Sequence, residues 1–324
     1  MNASNRTPYQ SLTDNDHLWW TLDNQPFATR TSEGQKFELQ FGYNVDCKSW
    51  AEELDIAVDK LISTHGTKLA LFYSGGADSE LVLRTLLRRG VTPEVHIIQF
   101  KERLNQHEVS NAYEVCDELG LHPYVWMHDA MDYVKSERYM DLALRYTCSQ
   151  IAYLTVLEYA KEVACPVIMG GEIYLQKHQI HAGGAVHAPT AWHYIYREDE
   201  DGVTYRYSMD TGHTIINEFF TYTPNLLYSW LKHPTIQSVA NDEVYGKITL
   251  LSIKRGVYEQ EIGYKLQAKS KFHGYEALMW TNMHVQRTLK ELLPPMQICR
   301  YEYNQLIKDL CTPLSLLATT QSRP

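Results

Sequence analysis

The sequence predicts an α/β fold: a doubly wound parallel sheet with a small β insertion and a helical C-terminal region. Three observations carry this. From Lys68 to Met169, short apolar runs alternate with stretches of helical periodicity. Such alternation builds a parallel sheet covered by helices on both faces. The glycine pairs Gly75-Gly76 and Gly170-Gly171 each follow an apolar run, at the strand ends where open sheets bind ligands. The chain has 324 residues, 44% of them hydrophobic and 21% charged, an ordinary globular composition with material for a sizeable core.

The elements follow in order. An extended piece is predicted at Lys36 to Phe41. Ala51, Leu54, Val58, Leu61 and Ile62 share one face of a helix over Ser49 to Ser63. Ser49 and Glu52 have the spacing of a capping box. Lys68 to Tyr73 reads as a strand covered on both faces. A helix from Asp78 to Arg89 ends on basic residues and Gly90, which suit its negative C-terminus and the left-handed turn beyond it. Glu94 to Phe100 is the next strand, His107 to Leu119 a helix, and His122 to Met127 a third strand. One long helical region is predicted over Tyr139 to Val163, then a fourth strand, Pro166 to Met169. Lys177 to His193 reads as a Gly- and His-rich loop. Trp192 to Arg197 and Val203 to Ser208 read as two strands joined by the acidic turn Glu198 to Gly202. Thr214 to Thr221 could add a third. From Pro224 to about Leu317 the pattern is helical. The resulting division is 1–65, 66–176, 177–222 and 223–324.

The net charge of −9 argues against a nucleic-acid coat or an anionic-membrane binder. No apolar run reaches membrane-spanning length, and Met1 to Gln10 lacks the apolar core of a signal peptide. The six cysteines form no Cys-x-x-Cys pair, which disfavours a zinc site. Scattered cysteines without a secretion signal read as reduced thiols in a cytoplasm.

The segment Ser74-Gly75-Gly76-Ala77-Asp78-Ser79 lies between a strand and a helix. Its glycines allow backbone conformations closed to other residues, and the helix N-terminus adds partial positive charge, so the local geometry suits an anion. Ser74 and Ser79 supply hydroxyls. Asp78 alone would repel phosphate, and its presence points to a bridging Mg²⁺. Neither G-x-x-x-x-G-K-[ST] nor G-x-G-x-x-G is present.

This segment resembles the SGG-x-DS signature of the PP-loop ATP pyrophosphatases, whose fold is of the adenine nucleotide alpha hydrolase type. The resemblance implies that ATP is cleaved between its α- and β-phosphates, adenylating a carboxylate or amide oxygen for attack by an amine or ammonia. Two further segments resemble the synthetase domain of asparagine synthetase and β-lactam synthetase. In Met169-Gly170-Gly171-Glu172, Gly171 and Glu172 match, and Glu172 inherits the role of deprotonating the incoming amine. In Gln267-Ala268-Lys269-Ser270-Lys271-Phe272, Lys269 inherits the hold on departing pyrophosphate, with Lys271 beside it. Gln99 and Phe100 stand where the family places adenine against backbone. The resemblance spans residues 50 to 280. The family's second acidic pair is missing, because Ile173-Tyr174-Leu175 follows Glu172, and Asn2 stands where a glutaminase would carry cysteine. Ammonia is therefore expected free, from an amine substrate or from a partner, and the second substrate is a small molecule or a protein.

A loop without its own lysine needs cations from elsewhere as pyrophosphate leaves. Lys269 and Lys271 are the first sources, Lys254 and Arg255 a second basic pair. His178, His181, His187 and His193 crowd one loop but lack metal-ligand spacing. Cys148 and Cys165 keep a sulfur-transfer or sulfonucleotide-reductase alternative open. A non-catalytic nucleotide-binding protein is the third reading.

Overall fold

In the computed structural model the described residues are 19–23, 25–26, 32, 34–40, 46–171, 173–179, 190–216, 219–240, 250–263, 265–266, 274–293 and 297–311. A small antiparallel sheet comes first, built from β1 (Trp19–Leu22), β2 (Gln25–Pro26) and β3 (Phe37–Gln40) in the order β2-β1-β3. Helix α1 (Trp50–His65) follows, and its predicted capping box forms. The Ser49 hydroxyl accepts from the Glu52 N–H while the Glu52 carboxylate accepts from the Ser49 N–H.

The alternating α/β run then proceeds as read from the sequence: β4 (Ala70–Phe72), α2 (Ala77–Arg88), β5 (Glu94–Phe100), α3 (Gln106–Glu118) and β6 (Tyr124–His128). After α4 (Ala130–Lys135), the expected single long helix is two, α5 (Tyr139–Tyr146) and α6 (Ile151–Ala160). The break is at Thr147, whose φ is 55°. Tertiary partners hold it open. Arg206 Nη1 donates to the Tyr146 carbonyl, and Ser149 Oγ and Gln150 Nε2 both donate to Asp199.

β7 (Val167–Met169) returns to the central sheet. β8 (Tyr174–Gln179) and β9 (Thr190–Arg197) pair antiparallel, so the segment read as a loop from Lys177 begins inside a strand. The predicted acidic turn and second strand are instead one helix, α7 (Glu198–Thr211). The acids complement its N-terminal dipole, and Glu198, Asp199 and Glu200 are each held. Glu198 accepts from the Gln297 N–H and pairs with Arg206, Asp199 accepts from Ser149 and Gln150, and Glu200 pairs with Arg197. Val203, Tyr205 and Tyr207 imitate strand alternation because the helix is buried all round. Val203 and Tyr207, four apart, join one core cluster, and Tyr205 joins the other.

β10 (Ile215–Ile216) completes a five-stranded, all-parallel sheet of order β10-β7-β4-β5-β6. Helices α8 (Pro224–Leu231), α9 (Pro234–Ala240), α10 (Leu250–Ile262) and α11 (Met279–Leu292) follow. The expected all-helical C-terminal region also contributes β11 (Ile298–Glu302), the third strand of the sheet β11-β9-β8, before α12 (Tyr303–Cys311). Gln297 Oε1 and Tyr301 Oη accept from the Phe37 and Leu39 N–H groups, tying the first sheet to β11.

The central sheet is covered on both faces. Leu71 and Tyr73 point into a cluster with α1, α2 and α3, while Ala70 and Phe72 point into a second with α5, α6 and α11. The first cluster runs from Leu22 to Leu310, so N-terminal, inserted and C-terminal segments share one core. The chain adds β5 and β6 on one side of β4 and then crosses to place β7 on the other. That reversal of strand order opens a crevice beyond the C-terminal end of β4. Among the described residues no helix is long and apolar enough to cross a membrane.

Candidate active site

A cleft of about 340 Å³ lies in that crevice. Ser74 to Ser79 form its floor, with Gly170 and Gly171 from the end of β7, and Gln150 and Tyr153 from the start of α6. The loop is shaped by close backbone approach. Gly75 has φ +81°, and a Cβ there would lie 2.2 Å from the Glu108 carbonyl oxygen of α3. The Asn111 side chain donates to the Gly75 carbonyl from the same helix. Gly76 is the N-cap of α2 and makes no side-chain cap bond, so the N-terminus of α2 opens into the cleft. Ser74 and Ser79 hydroxyls lie 3.0 Å apart, and the Ser74 hydroxyl also accepts from the Gly76 N–H. Gly170 packs on the start of α2, where a Cβ would sit 3.1 Å from Ser79 Cα. Both glycine pairs are thus at one point of the fold.

Asp78 points at the C-terminal region. Its Oδ1 accepts from Tyr258 Oη at 2.6 Å and faces Lys254 Nζ at 3.6 Å, both from α10. Lys254 is 1% exposed. The loop therefore has a lysine after all, supplied 176 positions downstream of Asp78 (254 minus 78). Its partner Arg255 turns elsewhere, to Glu259 and the Leu266 carbonyl. Asp78 and the Ser74 and Ser79 hydroxyls are hard oxygen donors. One carboxylate with substrate phosphates completing the shell is a usual way to hold Mg²⁺, so the residues fit that ion.

Glu172, Lys269 and Lys271 lie outside the described residues, as do His181 and His187. The residues flanking the lysine segment are fixed. The Leu266 N–H donates to Glu259. Gly274, with φ +84°, sits so close to Asn105 and the Phe100 ring that a Cβ would come within 2.9 Å of both. Tyr275 follows, its hydroxyl bonded to Thr155 at 2.6 Å and to His128 Nε2 at 2.9 Å.

Phe100 lines the cleft and Gln99 does not; the Gln99 carboxamide accepts from Tyr113 on α3. Backbone contact of a base with Phe100 meets a competitor. The Phe100 N–H donates to Asn105 Oδ1, and Asn105 Nδ2 donates to the Ile98 carbonyl. β5 outruns β4, whose last link is the Tyr73 N–H to the His96 carbonyl, and Asn105 occupies the edge exposed beyond it. No sequence signal marked Asn105. Tyr258 and the burial of Lys254 were equally invisible, since their partner is far away in the chain.

The cysteines weighed for sulfur transfer are both buried. Burial pushes the Cys148 and Cys165 thiols up from their ordinary range, which opposes thiolate chemistry. Among the described residues no group of three or more His, Cys, Asp or Glu could hold a metal. His178 is on β8, and His193 on β9 has its Nδ1 3.1 Å from the Ala191 carbonyl.

A glycine loop between a parallel strand and a helix, at the switch point of an open sheet, has a geometry that suits an anion. No family model matches the chain. A 7-cyano-7-deazaguanine synthase from Psychromonas ingrahamii is 40% identical over 55 residues, which is 17% of this chain and 24% of that protein's length. Among solved structures, an NH3-dependent NAD synthetase from Campylobacter jejuni aligns with 37% of this chain and 56% of its own at 17% identity and a TM-score of 0.27. An NMN synthetase from Francisella tularensis aligns with 73% and 94%, at 12% identity and a TM-score of 0.31. A U34-tRNA thiolase from Methanococcus maripaludis aligns with 82% and 88%, at 12% identity and a TM-score of 0.30.

Proposed function

We propose that this chain is an ATP-using enzyme of the PP-loop ATP pyrophosphatase superfamily that forms AMP and pyrophosphate. The observation that carries the reading is the loop itself. Ser74 to Ser79 carry the SGG-x-DS signature, and the N-terminus of α2 opens into a cleft at the switch point of a parallel sheet. The 55-residue likeness to a synthase supports the coarse statement. The finer statement, a synthetase resembling asparagine synthetase, rests on Gly171, Glu172, Lys269 and Lys271.

In this reading the loop N–H groups and the Ser74 and Ser79 hydroxyls bind the β- and γ-phosphates. Asp78 and those hydroxyls would hold Mg²⁺, which supplies charge neutralisation when bound. Lys254 adds a buried positive charge beside Asp78, where the departing pyrophosphate gathers negative charge. Lys269 and Lys271 add to it from the segment before Gly274. A carboxylate or amide oxygen of the acceptor attacks the α-phosphorus and the bond to the β-phosphate bridge breaks. An amine or ammonia then attacks the activated carbon and AMP leaves, with Glu172 taking the amine proton. Phe100 flanks the base with its ring.

The test is product analysis with a panel of carboxylates and amines. Substrate-dependent release of AMP and pyrophosphate is expected, and Asp78→Ala abolishes it. Steady formation of ADP and phosphate sinks the reading.

A further inference from the structure

We propose that Tyr258 is a positioning residue that aims the Asp78 carboxylate at a cation–phosphate complex, from an aromatic post built by three distant parts of the chain. The proposal rests on the nucleotide reading above and concerns the same loop.

The phenol ring is fully buried and stacked against two aromatic rings, Trp50 and Phe220, which also lie 6.1 Å from each other, so the three form one cluster. Trp50, the first residue of α1, lies 5.1 Å from it at an interplanar angle of 20°, and Phe220 lies 5.8 Å away at 26°. Close packing around a fully buried ring holds it, so its hydroxyl is delivered to one place. That place is Asp78 Oδ1, at 2.6 Å. Lys254 precedes Tyr258 by one helical turn, on the same face of α10, and reaches the same oxygen at 3.6 Å. Oδ1 is thus engaged twice from one side, and Oδ2 accepts no hydrogen bond among the described residues. A carboxylate gripped by one oxygen cannot rotate, and it presents the other in a fixed direction. Asp78 also lines the cleft, so that direction matters to a ligand. α10 is itself tied to the start of α1, where the Ala51 N–H donates to Glu261, and to His233 ahead of α9 through the same carboxylate. One carboxylate thus braces the C-terminal end of α10 against both segments.

A merely structural Tyr258 would support the loop whatever the ligand. A positioning Tyr258 matters only when a cation sits between Asp78 and the phosphates. Calorimetric titration of the full chain with ATP, first with excess Mg²⁺ and then with EDTA, separates the two. Tyr258→Phe keeps the stack and removes only the hydroxyl. It is expected to weaken Mg·ATP binding about tenfold, the scale of one hydrogen bond to a charged group. Metal-free ATP should bind the variant and wild type equally, and Tm should stay within about 4 °C. Tyr258→Leu also removes the ring from the stack, so it should show the same metal-dependent loss and melt lower. Unchanged Mg·ATP binding in Tyr258→Phe overturns the proposal, as does an equal loss with and without metal. If wild type binds ATP under neither condition, the nucleotide reading falls and the proposal with it. Wild-type binding beside an unaltered Tyr258→Phe removes the positioning role alone.

Discussion

Gly75 shows how one residue type is dictated by two independent constraints. Its φ of +81° is a left-handed conformation that L side chains rarely adopt, and the Glu108 carbonyl leaves no room for a Cβ. Gly75→Ala must relieve both, and should destabilise the fold by about 2–5 kcal/mol. Urea denaturation will measure this; a loss under about 1 kcal/mol would mean that α3 yields easily and that the loop is less rigid than its contacts imply. The glycine was legible because its neighbours spell a motif. Lys254 was legible only as a basic residue, because its burial against Asp78 depends on α10 folding back across the loop. Asn105 was not legible, since an asparagine before a helix reads as a cap, yet its side chain makes no cap bond and instead closes the edge of β5.

At the scale of elements, pattern reading succeeded where both neighbours in sequence are neighbours in space. The run from α1 to β6 matches its expected boundaries to within two or three residues, because alternating strands and helices of one parallel sheet carry their signals locally. It failed at α7. Buried residues on all sides of that helix erase the period that distinguishes helix from strand, and an acidic cluster reads as a solvent turn until its partners are seen. Those partners make a prediction. Arg206 and Glu198 form a buried ion pair, with side chains 5% and 0% exposed, and Arg206 also closes the C-terminus of α5. Arg206→Ala leaves Glu198 buried without that charge and should cost about 3–5 kcal/mol. Arg206→Lys should recover only part of it, since an ammonium cannot reproduce the two-armed contact. Chemical denaturation of the three proteins will check the order, and equal stability of Arg206→Ala and wild type would remove α7's acids from the scaffold.

For the whole molecule, pH stability follows from buried histidine. Burial pushes the His128 imidazole down to about 4, with Arg138 adding to the shift and Asp129 opposing it. Its ring nitrogens are bonded to Tyr159 and Tyr275 hydroxyls. The unfolded chain protonates near pH 6.5 and the folded one only near 4, so between these values the unfolded state binds more protons. Stability contributed by neutral His128 is complete above pH 6.5 and is lost as pH falls toward 4, by about 3 kcal/mol in all. His65, His96 and His213 are shifted down by burial in the same direction. Unfolding free energy should therefore fall between pH 7 and 5, and His128→Gln should flatten part of that slope. A slope unchanged by the substitution would place the acid sensitivity elsewhere.

Four strands of the central sheet and the loop after β4 were legible in the order of the residues, whereas β10 was read as part of the small β insertion. Alternating periodicities and the Ser74-to-Ser79 signature are local, and local signals survive in a one-dimensional reading. The surroundings of Asp78 were set by long-range contacts alone. Lys254, Tyr258 and Trp50 meet there from α10 and α1, and Asn105 meets the β5 edge below Gly274. Those contacts depend on burial and on long-range closure of the chain, and neither leaves a period, a spacing or a composition to read.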